Sequence, residues 1–225
     1  MQHMSLAEFN GYIDHTLLKP DSSRQQVEKL CAEALVAGFA SVCVLPHYVS
    51  PASSLLTGSG VAVCTVIGFP LGATFTRAKL AEAELAIEYG AQELDMVINN
   101  AALKSGDFLA VREDIDAIAG LCELNGALLK VIIETSLLTR EEKLELCSIV
   151  SDSGAAFIKT STGFVGGGAT VDDVRLLAGN CKAKVKASGG IRELPFALEL
   201  IEAGAKRLGT SSGMKLSEAY ALTVK

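Results

Sequence analysis

Lys159 ends a short apolar run and is followed at once by hydroxyl residues and glycines: FIKTSTG at 157–163, then FVGGGAT at 164–170. A second lysine, Lys186, stands in VKASGG at 185–190, again where an apolar run gives way to small residues. A lysine walled by apolar neighbours loses hydration, which disfavours its charged form, and a neutral amine attacks carbonyl carbon. If the two lysines end adjacent strands they lie close together, because neighbouring strands run about 4.8 Å apart. Like charges repel, so such a pair drives one member toward the neutral amine. Either lysine alone reads equally well as a solvated strand-end residue; the pair is the sharper signal.

An acid belongs with them. Asp95 lies inside ELDMVI at 93–98, an otherwise apolar strand in which an unpaired carboxylate is costly. Side chains two apart on a strand share a face, and by that parity Lys130, in LLKVII at 128–133, shares the interior layer of Asp95. The two are an interior ion pair, a proton-transfer pair, or both.

Such residues need a scaffold that brings strand ends together, and the chain carries the punctuation of one. Gly38, Gly90, Gly126, Gly154 and Gly204 each follow a helical stretch and precede an apolar run. Glycine just past a helix supplies the left-handed residue that turns the chain back. Tandem helix–strand units imply a parallel sheet. Strands are expected at 13–18, 40–45, 61–67, 93–98, 128–133, 156–158, 183–186 and 207–209. Helices are expected at 22–37, 47–57, 75–89, 107–124, 140–152, 171–179, 193–203 and 213–223, with capping boxes at Ser22–Gln25, Thr139–Glu142 and Thr170–Asp173. Eight strands alternating with helices, without a composition break, predict an α/β fold, a single (β/α)8 TIM barrel spanning 1–225. An open doubly wound sheet is the alternative. No Gly-x-Gly-x-x-Gly follows the first strand, which counts against it.

In this numbering Lys159 ends the sixth strand and Lys186 the seventh. The last two strands run into SGGIR at 188–192 and GTSSG at 209–213. Loops at these two positions, beside a helix amino terminus, form the recurrent phosphate site of such barrels.

Composition narrows the partners. The 225 residues are 49% hydrophobic but only 5% aromatic, without Trp, so the core is built from Ala, Val, Leu and Ile. A net charge of −6 argues against nucleic acid or an anionic membrane surface. No apolar run approaches the ~20 residues of a membrane span, and the first five residues lack the basic and apolar regions of a secretory signal. The six cysteines form no Cys-x-x-Cys pair and read as free thiols of a reducing cytoplasm. No His, Cys or carboxylate cluster has metal-ligand spacing, so neither metal nor cofactor is expected.

Taken together, DHTLLK at 14–19, ELDMVI at 93–98, KVIIET at 130–135, FIKTSTG at 157–163, VKASGGIR at 185–192 and GTSSG at 209–213 resemble the deoxyribose-phosphate aldolase family. The resemblance runs through nearly the whole chain in order. It implies a cytoplasmic class I aldolase of TIM-barrel fold that reversibly cleaves 2-deoxy-D-ribose 5-phosphate to acetaldehyde and D-glyceraldehyde 3-phosphate. It makes Lys159 the Schiff-base lysine, Lys186 its perturbing neighbour and Asp95 the proton-relay acid. Asp14 and Thr16 match positions lining the substrate site. Thr160, Gly163, Gly189, Gly190, Gly209, Ser211 and Ser212 fall within the matching substrate and phosphate loops. The implied partners are small sugar phosphates and aldehydes, and a homodimer is the assembly it suggests.

Two departures stand out. Some members place a lysine directly after the Ser-Thr-Gly of the sixth loop, where this chain has Phe164; the phosphate then relies on backbone and hydroxyl donors, with Arg192 a distant cation. Some members also end in a tyrosine that folds into the site, whereas this chain ends YALTVK. Other residues read as structural. Cys43 and Cys64 pack as small hydrophobes, with Cys43 close enough to a strand end to be a reactive thiol as the alternative. His15 is an interior histidine with a satisfied partner rather than a base, and His47 begins a helix. Lys184 shares the parity of Lys186 and should point inward one layer deeper, toward Glu93. Another Schiff-base or sugar-phosphate enzyme on the same barrel, and a non-catalytic sugar-phosphate binder, are the competing readings; a binder needs no nucleophile.

Overall fold

In the computed structural model, which describes residues 4–224, eight parallel strands follow one another in chain order and close into a barrel, β1 pairing with both β2 and β8. They are β1 (Ile13–Leu17), β2 (Ser41–Val44), β3 (Ala62–Ile67), β4 (Glu93–Val97), β5 (Leu128–Ile132), β6 (Phe157–Lys159), β7 (Lys184–Ser188) and β8 (Ala205–Thr210). The helices are α1 (Leu6–Asn10), α2 (Arg24–Ala37), α3 (Val49–Leu56), α4 (Thr76–Glu88), α5 (Asn100–Lys104), α6 (Phe108–Asn125), α7 (Arg140–Asp152), α8 (Val171–Asn180), α9 (Leu194–Glu202) and α10 (Gly213–Ala221). Single 3₁₀ turns cover Pro46–Tyr48 and Thr135–Leu137. The architecture is the (β/α)8 TIM barrel expected from the sequence. Residues 1–3 and 225, which end the expected span, lie outside the described residues.

The five glycines that punctuate the sequence all take positive φ, from 66° at Gly126 to 116° at Gly204. Each lets the chain leave a helix and start a strand without the Cβ clash that other residues meet there. The capping boxes differ in detail. The box at α2 is formed by Ser23 and Gln26, one residue later than expected, because SSRQQ offers two overlapping Ser-x-x-Gln frames. Thr139 and Glu142 close the box at α7. Thr170 accepts from the backbone N–H of Asp173 at α8 without the reciprocal bond, so that end carries half a box. The short helices α1 and α5 are additions to the expected set. His47 sits in the 3₁₀ turn that leads into α3.

The pleat sorts charge from hydrocarbon. On β4, Leu94 and Met96 face outward into the apolar layer beneath the helices, while Glu93 and Asp95 face the barrel axis. On β5, Leu129 and Val131 face the helices and Lys130 turns inward. Each fully buried aliphatic side chain contributes about 1.5–3 kcal/mol, so the outer layer stabilises a scaffold whose interior is highly charged. Among the described residues, no helix is long and apolar enough to cross a membrane.

Candidate active site

The barrel axis carries a chain of ion pairs. Asp95 lies at its centre, with the ammonium of Lys159 at 2.6 Å and that of Lys186 at 2.7 Å from Oδ2. Lys130 binds its other oxygen at 2.8 Å. Lys186 also reaches Asp14 Oδ2 at 2.5 Å, and Lys130 reaches Glu93 at 2.7 Å. Arg207 closes the lower end, pairing with Asp14 and with Glu93, the latter at 2.8 Å. Strand register explains the assembly: Asp95 is level with Lys130, Lys159 with Lys186, and Lys186 with Arg207. Lys130, Lys159, Lys186 and Arg207 thus face Asp14, Glu93 and Asp95, which leaves one cation in excess.

Burial pushes the Asp95 carboxyl up, but Lys130, Lys159 and Lys186 outweigh it and hold the group well below the usual carboxylate range. Asp14 follows the same pattern: burial raises it, and Lys186, Lys130 and Arg207 bring it below its ordinary value. Burial alone would strip Lys186 of its proton, yet Asp14 and Asp95 hold it above the ordinary lysine range. Lys186 is therefore a fixed ammonium. It does not confront Lys159 bare, as the sequence pairing suggested; the Asp95 carboxylate sits between the two.

Above this cluster opens a cavity of about 260 Å³. Of the three lysines bound to Asp95, Lys159 alone lines it; Lys130 and Lys186 are fully buried beneath. Thr16, Gly163, Gly189, Gly190, Gly209 and Ser211 form parts of its wall. Asp14 lies under the floor, held by Ser41 at 2.8 Å. Thr160 is buried and donates its hydroxyl to the Ser188 carbonyl at 3.1 Å. Ser212 takes the N-cap position of α10 without a side-chain cap bond and does not line the cavity. Gly189 comes so close to Gly168 that an added Cβ would stand 2.9 Å from its Cα, which only glycine tolerates at φ 90°. Arg192 lines the rim, joined by Lys19, a cation the sequence reading did not single out. Phe164 also lines the cavity and packs edge-to-face on Phe69 at 5.1 Å, spanning the mouth from the loop after β6 to the loop after β3.

Several expectations need correction. Lys184 does not reach Glu93. It is exposed at the lower rim, 5.9 Å from the Phe157 ring, and Arg207 takes the expected place. Arg207 lies more than a hundred residues from Glu93, with no local motif to mark it. Cys43, Cys64 and Asp95 come from three strands, yet their ligand atoms gather within 4.8 Å, a metal-like grouping invisible as sequence spacing. Lys130 Nζ lies 2.8 Å from Asp95 Oδ1 and 3.2 Å from Cys64 Sγ, so an ammonium already fills the cation position there. His15 pairs with Glu33 at 2.7 Å and packs on Phe39. Tyr220 stacks on Phe9 and donates to the Met4 carbonyl at 2.7 Å, a structural role at the α1–α10 contact.

The chain matches the DeoC/LacD family aldolase profile over residues 11–217. It is 54% identical to a deoxyribose-phosphate aldolase of Desulfitobacterium hafniense over 218 residues, covering 96% of this chain and 99% of that one. A deoxyribose-phosphate aldolase of Brevibacillus brevis is 52% identical over 209 residues, or 92% and 94% of the two chains. Among solved structures, the tetrameric deoxyribose phosphate aldolase of Aeropyrum pernix superposes with a TM-score of 0.91 at 37% identity, covering 98% of this chain and 94% of that one.

Proposed function

Because the chain belongs to the DeoC/LacD aldolase family, we infer that it is a class I aldolase cleaving 2-deoxy-D-ribose 5-phosphate to acetaldehyde and D-glyceraldehyde 3-phosphate, and reversibly joining them. One observation carries the assignment of roles. Lys159 alone of the lysines on Asp95 meets the cavity, so its amine is the one a substrate can reach.

In cleavage, Lys159 Nζ attacks C1 of the open-chain sugar, and the carbinolamine expels water to give an iminium. Asp95 is ionised and 2.6 Å away, placed to take the proton that the amine sheds. Asp95 returns that proton to the departing hydroxyl as water forms, and the C3 hydroxyl then passes its own proton to the freed carboxylate as the C2–C3 bond breaks. Its electron pair moves into the iminium, leaving an enamine and free D-glyceraldehyde 3-phosphate. Protonation at C2 and hydrolysis release acetaldehyde and return the amine. Lys186, a fixed ammonium on Asp95, keeps its own proton and holds the carboxylate charged, ready to accept the one shed by the amine. The iminium is the electron sink, so chelation by EDTA should leave turnover unchanged in a cleavage assay; loss restored by Zn²⁺ would overturn the imine mechanism.

The phosphate is read to lie against Gly163, Gly189, Gly190, Gly209 and Ser211, with Ser212 behind and Lys19 and Arg192 at the rim. Hydrogen bonds to charged groups contribute roughly 1.5–3 kcal/mol each. Unphosphorylated deoxyribose should therefore turn over at least about a hundredfold more slowly in kcat/KM. Gly190→Asp, which sets a carboxylate at φ 78°, should penalise the phosphorylated sugar selectively. Equal losses on both sugars would move the phosphate elsewhere. A single domain over 1–225, a cytoplasmic location and a homodimer complete the proposal. The unbroken closed barrel supports the first. A phosphorylated metabolite as substrate supports the second. The exposed Leu71 and Phe75 offer apolar surface for the third.

A further inference from the structure

Glu134 is buried, 1% exposed, and stands just beyond β5 with φ 56° and ψ 69°. Among the described residues it is the one non-glycine at positive φ, a conformation held only where surrounding contacts overdetermine it. Those contacts point across to the loop after β6. Glu134 Oε2 accepts from the Thr162 backbone N–H at 3.0 Å and from the Thr162 hydroxyl at 2.5 Å. Having donated its proton, that hydroxyl oxygen accepts from the Phe164 N–H at 3.1 Å. The next residue reinforces the clamp, Thr135 N–H donating to the Thr160 carbonyl at 2.8 Å. One carboxylate oxygen thus fixes both ends of the Thr162–Phe164 turn, and all three residues of that turn line the cavity. The turn also presents Gly163 to Gly189, whose Cα would lie 3.7 Å from a Cβ at Gly163.

We propose that Glu134 is a positioning residue that shapes the Thr162–Phe164 turn to receive the anionic end of the substrate. Its side-chain hydrogen bonds go to Thr162, with none to Asp95 or the three lysines around it, so its effect reaches the reaction through this turn. The backbone at Glu134 is set in the left-handed region to aim the carboxylate across the gap between strands. The proposal rests on the aldolase reading given above, with the phosphate beside Gly163 and Gly189.

The test is a KM-against-kcat comparison on deoxyribose 5-phosphate for wild type, Glu134→Gln and Glu134→Gly, with borohydride trapping of the acetaldehyde adduct at Lys159 alongside. Glycine accepts the positive φ but removes the acceptor, so KM should rise about tenfold, the loss of roughly one such bond, while kcat and acetaldehyde trapping stay near wild type. Glutamine keeps an acceptor oxygen of the same reach and should restore KM to within about twofold, since acceptor geometry rather than charge orders the turn. Thr162→Val offers a second route if the glycine variant folds poorly: it deletes the hydroxyl relay to Phe164 and should raise KM in the same direction. A wild-type KM in Glu134→Gly, or a glutamine variant as impaired as the glycine one, overturns the proposal while leaving the aldolase assignment intact. Loss of trapping together with kcat would make Glu134 a general structural residue and also overturn it. A wild-type enzyme indifferent to the phosphate would sink the phosphate reading and this inference together.

Discussion

Lys159→Met should lose turnover by roughly 10⁴-fold or more, the scale seen when a covalent nucleophile is removed, and should lose the reducible adduct as well. Treating wild type with acetaldehyde and borohydride should add one ethyl group to the peptide that holds Lys159. The methionine variant should carry none. The variant should fold normally, because its loss takes away the excess cation: Asp95 keeps Lys130 and Lys186 as partners, and the remaining cations then match Asp14, Glu93 and Asp95. Methionine also fills the space of the lysine stem with a flexible apolar chain. An adduct on Lys186 or Lys130 in wild type, or retained turnover in a folded variant, would remove Lys159 from its assigned role. Mass spectrometry and a thermal melt on the same preparation decide between loss of chemistry and loss of fold.

How much of this site was legible in the sequence depends on how local its signals are. The helix-ending glycines are local and mark five of the strands, apolar runs between them supply the other three, and strand parity then places Asp95 with Lys130 and Lys159 with Lys186. The closing partners were not legible. Arg207 meets Glu93 and Asp14 only because a register shift between Val185 and Lys186 brings β8 level with the charged layer. Nothing near Arg207 announces that. The same limit misled the reading of Lys184: parity gave its face correctly, but the barrel ends beneath it and solvent takes the ammonium. Electrostatics failed in a related way. Two lysines read in isolation repel, whereas the folded site puts Asp95 between them and Asp14 behind Lys186, so that Lys186 is held charged. Glu134 is silent in the sequence, since a left-handed residue that is not glycine leaves no mark in composition or spacing.

Asp95→Asn is the other substitution with a large expected effect, and it should act on stability and chemistry together. The side chain keeps its size but loses the charge that Lys130, Lys159 and Lys186 share. Removing one partner from buried ion pairs typically costs about 3–5 kcal/mol, so denaturant midpoints should fall clearly at neutral pH. Acid–base catalysis is worth about 10²–10⁴-fold, and kcat should drop by that order while the folded fraction is held constant by assaying at low temperature. The pH dependence carries the sharper signature. Asp95 has a native pKa well below its unfolded value, so the unfolded state binds more protons as acid is added. The stabilisation is fully present above the unfolded value, about 3.9, and is lost as pH falls toward the lower native one. The stability difference between wild type and Asp95→Asn should therefore be level from neutral pH to about 5 and shrink progressively below about 4. Asp14 remains in both proteins and follows the same direction, so it largely cancels from the difference. A gap that stays constant from pH 7 to 3 would mean that Asp95 gains nothing from its ammonium partners, and the charged cluster would then be incidental to both the fold and the chemistry.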